Sequence, residues 1–438
     1  MTDAAPSPRP HPFRIRNFRC YWISRLAMTL AQYAMLLIIG WQTYNIARDG
    51  GMSIAEASGQ LALIGLLQFL PLFLLTPFSG LAADRFDRRA LGQLTVVLQL
   101  ACAAVLGWAT YSGAIGLAVL YGVAIVLGIA RGFAGPALSA LAPNLVPKPV
   151  LPTAIALSSI SWQVGMIGGP ALGGYLYALE PHLPYAVACA LFFVSIVALT
   201  LIGRVPQPPR RRDQRPIGAI VDGMRYVVNN KMVLGAITLD LFAVFLAGAT
   251  ALFPVYARDI LQVGETGLSQ LAMAPAIGAA ITAAWFSFRP IATNVGPKML
   301  GAVAIFGLAT IVFGLSHSMP LSLTMLFIVG AADMFSVYIR QSLIQLHTPD
   351  DKRGRVSSVS LLTISASNEG GDFFSGTLAY LIGPVAAVVA GGVGAVVTVA
   401  AWSRVFPVLR TTKTFDPPAD LLEDPERTSD KHPQGGLT

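Results

Sequence analysis

Charge is scarce in this chain. Of 438 residues only 12% are Asp, Glu, Lys or Arg, about half the share of an ordinary soluble domain, so most of the chain has no surface fit for water. Cysteine is rarer still. Cys20, Cys102 and Cys189 lie far apart, which excludes a disulfide framework and a thiolate metal cluster. The five histidines show no ligand spacing, and His347, just before Thr348-Pro349-Asp350, reads as a loop turning into a capped helix. There is no glycine loop ending in lysine, no HExxH and no Ser/His/Asp set in a soluble loop. An enzyme, a bound cofactor, a resident metal and a built-in nucleotide motor are therefore not expected. Residues 1–20 hold proline and arginine but no cleavable signal, which leaves the first helix as a signal anchor. A transmembrane barrel is excluded as well, because apolar residues run consecutively rather than on every second position.

What fills the chain is hydrocarbon. Hydrophobic residues make up 54% of it, with mean hydropathy +0.64, in runs long enough to cross the ~30 Å core of a bilayer. Twelve spans are expected, near 22–47, 60–80, 90–112, 115–138, 155–179, 184–203, 232–255, 266–287, 297–316, 320–343, 356–381 and 384–406. With both termini cytoplasmic, Arg48 and Arg258 alone among 30 Lys and Arg fall in outer loops. That asymmetry follows the positive-inside rule. The net charge of +8 then reports topology and anionic lipid, not nucleic acid.

One long polar interruption divides the spans. An N-terminal tail (1–20) leads into a first six-helix bundle (21–203). A linker (204–231) follows, opening on Pro206, Pro208, Pro209 and Arg210-Arg211-Arg212 and continuing at helical spacing from Ile217 to Val228, as a surface amphipathic helix would. A second six-helix bundle (232–407) and a polar, disordered cytoplasmic tail (408–438) complete the chain. The bundles echo each other: a shift of 202 residues lays Gly168, Gly169 and Gly174 on Gly370, Gly371 and Gly376. Paired halves with glycine-interrupted spans in matching positions are the mark of a repeat-built secondary transporter.

Between spans two and three runs Gly80-Leu81-Ala82-Ala83-Asp84-Arg85-Phe86-Asp87-Arg88-Arg89. So dense a mixture of charge belongs at the membrane surface, with Asp84 available to cap the next helix. Span five carries Gly165-Met166-Ile167-Gly168-Gly169-Pro170-Ala171-Leu172-Gly173-Gly174, which removes side-chain bulk and one backbone donor and so permits close packing or bending. Span four carries Arg131, which is costly in lipid and must find a carboxylate, a carbonyl or a wet cavity, or else reach the cytoplasmic edge. Acidic residues lie in later spans: Asp240, Asp333, Glu369 and Asp372. The last two are three apart on one helix face and cannot both ionise easily if they close in low dielectric. These acids either titrate or pair structurally with Arg25, Arg131 or Arg340. Arg258-Asp259 reads first as an interfacial helix end and second as part of a gate. Gln32, Trp162, Gln163, Tyr338 and Gln341 are candidates to line an amphiphilic cavity.

The charged loop resembles the helix two–three loop of the major facilitator superfamily, with Asp87 where that pattern carries glycine. The span-five run resembles the glycine–proline element of its exporters and antiporters, and Leu127 to Gly135 resembles its arginine motif in helix four, with Ala134 where glutamine is common. Thr348 to Val356 resembles the helix ten–eleven loop of the enterobactin-exporter branch. The resemblance covers about residues 13–410. It implies an all-α membrane fold of twelve transmembrane helices in two pseudo-symmetric six-helix bundles, and an exporter of a small drug-like or siderophore-like molecule, working by alternating access in exchange for protons. It further implies a monomer in a bacterial inner membrane, with Gly80, Asp84, Arg85, Arg88 and Arg89 as a cytoplasmic latch. Gly165, Gly169, Pro170, Gly173 and Gly174 become the bending element, and Arg131, Asp240, Asp333, Glu369 and Asp372 the proton-coupling set. An importer or facilitator of small metabolites would share the fold, and sodium coupling stays open.

Overall fold

The computed structural model describes residues 11–141, 144–203, 216–289, 291, 293–349 and 352–416. Among them the chain is helical throughout, with no strand. The first half comprises α1 (Arg16–Asp49), α2 (Ile54–Arg85), α3 (Arg88–Tyr111), α4 (Leu117–Leu141), α5 (Leu151–Leu179) and α6 (Leu183–Thr200). A short helix, α7 (Pro216–Asn229), leads to the second half: α8 (Lys231–Leu246), α9 (Phe253–Val255), α10 (Gly264–Phe288), α11 (Val295–Gly314), α12 (Met319–Leu346), α13 (Arg353–Ile382), α14 (Pro384–Val405) and α15 (Pro407–Thr411). Twelve of the described helices match the expected spans, several beginning or ending a few residues beyond the apolar run. Ten are long and apolar enough to cross a membrane. The remaining two, α5 and α13, are equally long but rich in glycine and serine.

Backbone polar groups cannot go unpaired in hydrocarbon, so each turn between helices must begin and end cleanly. Ser53 and Glu56 form a reciprocal capping box on α2, at 3.2 and 2.8 Å. Asp87 caps α3 by accepting the Arg89 N–H at 2.8 Å, so the cap expected of Asp84 falls to its neighbour three residues on. Asn230 accepts from Met232 and Val233 to start α8. Proline opens α6, α12, α14 and α15, where a missing N–H costs nothing. At α11 the first N–H groups find backbone instead: Gly296 donates to the Thr412 carbonyl at 3.0 Å and Val295 to that of Lys413 at 3.3 Å.

The expected seventh span is broken. After Leu246 the helix gives way to a 3-10 turn (Thr250–Leu252), then α9, then a π turn (Tyr256–Ile260). Gly248 lies against the Gly371 backbone at the break, where a side chain would hold the helices apart.

Within the first half α1 packs on α5 and α6, α2 on α4, and α3 on α4 and α6. In the second, α8 packs on α13 and α14, and α12 on α10 and α11. The halves meet along two seams, α2 with α13 and α5 with α10. The 202-residue echo is physical. Gly169 leaves no room for a Cβ beside Tyr33 of α1, and Gly371 leaves little beside Phe245 of α8; Gly174 is closed by Ser269 of α10, and Gly376 by Ala62 of α2. The first glycine of each pair seats its helix within its own half; the second seats it against the other half.

Helix α7 docks at the face where the chain enters. Its Tyr226 hydroxyl donates to the His347 carbonyl at 2.8 Å, Lys352 lies 5.1 Å over the Tyr226 ring, and Asp222 pairs with Arg355 at 3.3 Å. Burial holds the His347 imidazole below the usual histidine range, so it is neutral at pH 7.

Where glycine is a close-contact residue, alanine should be destabilising. At Gly330 a Cβ would overlap the Pro275 carbonyl, whereas at Gly301 it meets nothing. Gly330→Ala should cost about 1–3 kcal/mol by overpacking and lower the melting temperature in detergent, with Gly301→Ala unchanged. Equal melting temperatures for the two would refute the close-contact reading.

Candidate functional site

Arg131 is placed by the glycines around it. A Cβ at Gly128 would overlap the Gln68 carbonyl, and Gly132 faces Leu72, so α4 lies directly on α2 and carries Arg131 to the seam. There its guanidinium bridges to Glu369 of α13 at 2.5 and 3.5 Å and donates to the Gln68 side chain at 3.3 Å. The two ionic side chains are 15% and 19% exposed, which places the pair in the interior and across the two halves. Asp372 follows one turn along α13. Around them lie Phe69 of α2 and Phe245 of α8, 3.9 and 3.2 Å from where a Cβ would stand on Gly370. Phe69 packs on Phe73 and Phe245 on Phe374, with ring centroids 5.3 and 5.1 Å apart. The centre is an ionic pair and a second carboxylate within aromatic walls.

The remaining acids of the expected set are elsewhere. Asp240 of α8 pairs with Arg340 of α12, both almost wholly buried, and Asp333 faces a small cavity with Asp240, Val303, Phe306 and Ser336. This cluster belongs to the packing of α8, α11 and α12. The set read from the sequence is therefore two sites, one between the halves and one inside the second. Arg340 thus pairs structurally with Asp240, one of the pairings open to these acids.

A third set closes the face opposite the chain's entry, called distal here. Arg48 pairs with Asp259 at 3.1 Å, and Tyr44 hydrogen-bonds the same carboxylate. Reciprocally, Arg258 pairs with Asp49 at 2.6 Å and donates to the Asn45 side chain at 2.6 Å. One partner of each pair ends α1; the other lies on the π turn after α9. Arg258-Asp259 does stand at a helix end, on the π turn, and there it joins the halves through two crossed ion pairs. The signal was in the sequence: the two outer cations are each followed by an aspartate, in the same order, Arg48-Asp49 and Arg258-Asp259.

The other candidates divide similarly. Gly165 faces Thr29, Gly169 and Gly173 face Tyr33 and Ala34, and Gly174 faces Ser269; α5 runs continuously through the buried Pro170. Arg89 donates to the Ile202 and Thr200 carbonyls at 2.5 and 2.8 Å, closing the end of α6. Arg88 stands in the first turn of α3; the side chains of Gly80, Asp84 and Arg85 lie outside the described residues. Gln163 donates to the Ala276 carbonyl of α10 at 3.3 Å, across the seam, and Trp162 beside it is 41% exposed. Gln32 and Gln341 are half-buried. Tyr338 stacks on Phe286 at 4.4 Å, inside the contact of α10 with α12.

Two matched halves of six membrane helices, charge-paired across a central seam, define a major facilitator transporter rather than an enzyme. The chain belongs to the transmembrane secretion effector family, which it matches over residues 9–434. It is 27% identical over 350 residues to the multidrug efflux pump Tap of Mycobacterium tuberculosis, covering 76% of this chain and 78% of that protein. It is 24% identical over 400 residues to the enterobactin exporter EntS of Escherichia coli, covering 88% and 90%. Among solved structures, a bacterial homologue of the human lysosomal transporter Spinster in an inward-facing, unoccupied conformation superposes with TM-score 0.70 at 17% identity, over 91% of this chain and 99% of that one. A D-xylose–proton symporter superposes at 0.67 and 12% identity, over 90% and 98%.

Charge order decides the distal pairs. Arg48→Asp or Asp259→Arg alone should open the distal face, raising the labelling rate of a cysteine placed beside Trp41 at least tenfold. The exchanged pair carrying both changes should restore protection. Labelling that stays high in the double variant would show that the pair does not hold the face shut.

Proposed function

We propose that this transporter exports a small amphiphilic molecule through the seam between its halves, in exchange for protons entering the cell. The observation that carries the reading is the Arg131–Glu369 ion pair joining α4 to α13, with Asp372 one turn away. A proton on Glu369 removes the charge that Arg131 balances. A guanidinium left without its carboxylate in low dielectric is expensive, so the two halves re-seat until the proton leaves on the other side. Phe69, Phe73, Phe245 and Phe374 offer apolar surface to a substrate while the ionic groups hold its polar end. Efflux, rather than uptake, is favoured by the kinship to a multidrug efflux pump and an enterobactin exporter.

In this scheme the distal ion pairs hold one access state. Arg88 and Arg89, with Gly80, Asp84 and Arg85, form the latch of the other, and the glycine face of α5 is the surface on which α1 and α10 shift. Asp240, Asp333 and Arg340 then stabilise the second half or relay protons within it. The chain works as a monomer in a bacterial inner membrane, with both termini in the cytoplasm.

The test is proton flux in vesicles holding the purified protein, recorded as amphiphilic drugs and catecholate siderophores are added under an imposed pH gradient. Wild-type protein should move protons when substrate is added. Glu369→Gln with Asp372→Asn should lose that flux at least tenfold while the protein stays folded and inserted in the vesicle membrane. Full coupled efflux in the double variant would overturn the site assignment; substrate that only equilibrates down its own gradient in wild type would overturn antiport.

A further inference from the structure

Helix α7 turns one apolar stripe away from the protein. Val221, Met224 and Val228, spaced three and four apart and so on one face, are 58%, 44% and 55% exposed. Beside that stripe Arg225 and Lys231 are exposed as well, and Arg353 is exposed on the neighbouring turn. The opposite side is anchored. Val227 is buried, Gly223 lies so close to the Arg355 carbonyl that a Cβ would stand 2.8 Å from it, and Asp222 and Tyr226 hold Arg355 and the His347 carbonyl. Helix α7 therefore rides on the first turn of α13, the helix that carries Glu369 and forms one seam. It also touches α2, the helix on the other side of that seam.

At the distal end α2 and α13 are in direct contact, Gly59 with Tyr380, Ala62 with Gly376 and Gly65 with Phe373. At the other end α7 contacts both helices. Rocking that changes the separation of the entry-side ends of α2 and α13 therefore changes the surface on which α7 sits. An apolar stripe flanked by Arg and Lys is the pattern that binds a bilayer surface, by burying side chains at the acyl boundary and attracting anionic headgroups.

We infer that α7 is a lipid-responsive wedge: an anionic bilayer surface holds it in place and thereby favours the access state in which the entry-side ends of α2 and α13 are apart. The inference goes beyond the proton-exchange reading and does not depend on it.

The experiment uses the full chain, spin-labelled at the entry-side ends of α2 and α13, in phosphatidylcholine vesicles with a rising fraction of phosphatidylglycerol. The distance distribution is read by pulsed electron resonance, with no substrate or pH gradient. The expected result is a severalfold rise in the separated population as phosphatidylglycerol increases, reduced by added salt. Val221→Ser/Met224→Ser/Val228→Ser should flatten that response while leaving the melting temperature unchanged. Asp222→Asn with Arg355→Gln should also flatten it, because the helix would then grip the lipid without gripping α13. A wild-type distribution indifferent to phosphatidylglycerol, or a response kept by the triple variant, would overturn the proposal.

Discussion

A charge inside a hydrocarbon-embedded bundle must have its opposite within reach, and the three ionic sets here, two interior and one at a face, divide the labour of the fold. Asp240 with Arg340 ties helices of the second half to one another. Arg131 with Glu369 ties one half to the other at the centre. The crossed pairs of Arg48 with Asp259 and Arg258 with Asp49 tie the halves at one face. Desolvation makes the two interior pairs, Arg131–Glu369 and Asp240–Arg340, weak sources of net stability yet severe losses when one partner is removed. That asymmetry suits a machine with two arrangements: an internal pair can stay made in both, while pairs across the seam must be exchanged for others.

Glycine sets how closely those charges can be brought. Arg131 reaches Glu369 because Gly128 and Gly132 let α4 lie directly on α2, and Glu369 stands beside Gly370 and Gly371, where α13 closes on α8. The echo of Gly169 and Gly174 in Gly371 and Gly376 shows the same packing solution used twice, with α8 in the place of α1 and α13 in the place of α5. Pseudo-symmetry here is a matter of which side chains are missing. It also explains why α5 and α13 are the least hydropathic of the long helices: each is surrounded by protein on two sides and has less need to dissolve in lipid.

The number of spans and the division into halves could be read directly, since twenty consecutive apolar residues admit few interpretations. Arg131 and Glu369 could be singled out because each is individually expensive in lipid, but their pairing, 238 residues apart, could not. Separation of Asp240 and Asp333 from the central site was equally hidden, because helix faces within a bundle are set by packing and not by hydropathy. The break after Leu246 was veiled by an unbroken apolar run, although Gly248 and Pro254 stand within it. At Arg48-Asp49 and Arg258-Asp259 the charges are visible in the sequence, while their crossing depends on how the end of α1 packs against the π turn.

The backbone bonds from Val295 and Gly296 to Lys413 and Thr412 bring the segment after α14 back beneath the start of α11, where Gly296 leaves no room for anything larger. The second half is thereby laced shut by its own chain, as a drawstring closes a bag. Residues 407–413 are tied to the bundle by those two bonds and by the buried Leu409, and a protein shortened ahead of them would expose two amide donors at the membrane edge. A reporter joined beyond residue 416 would leave that lacing in place; one joined at 406 would cut it.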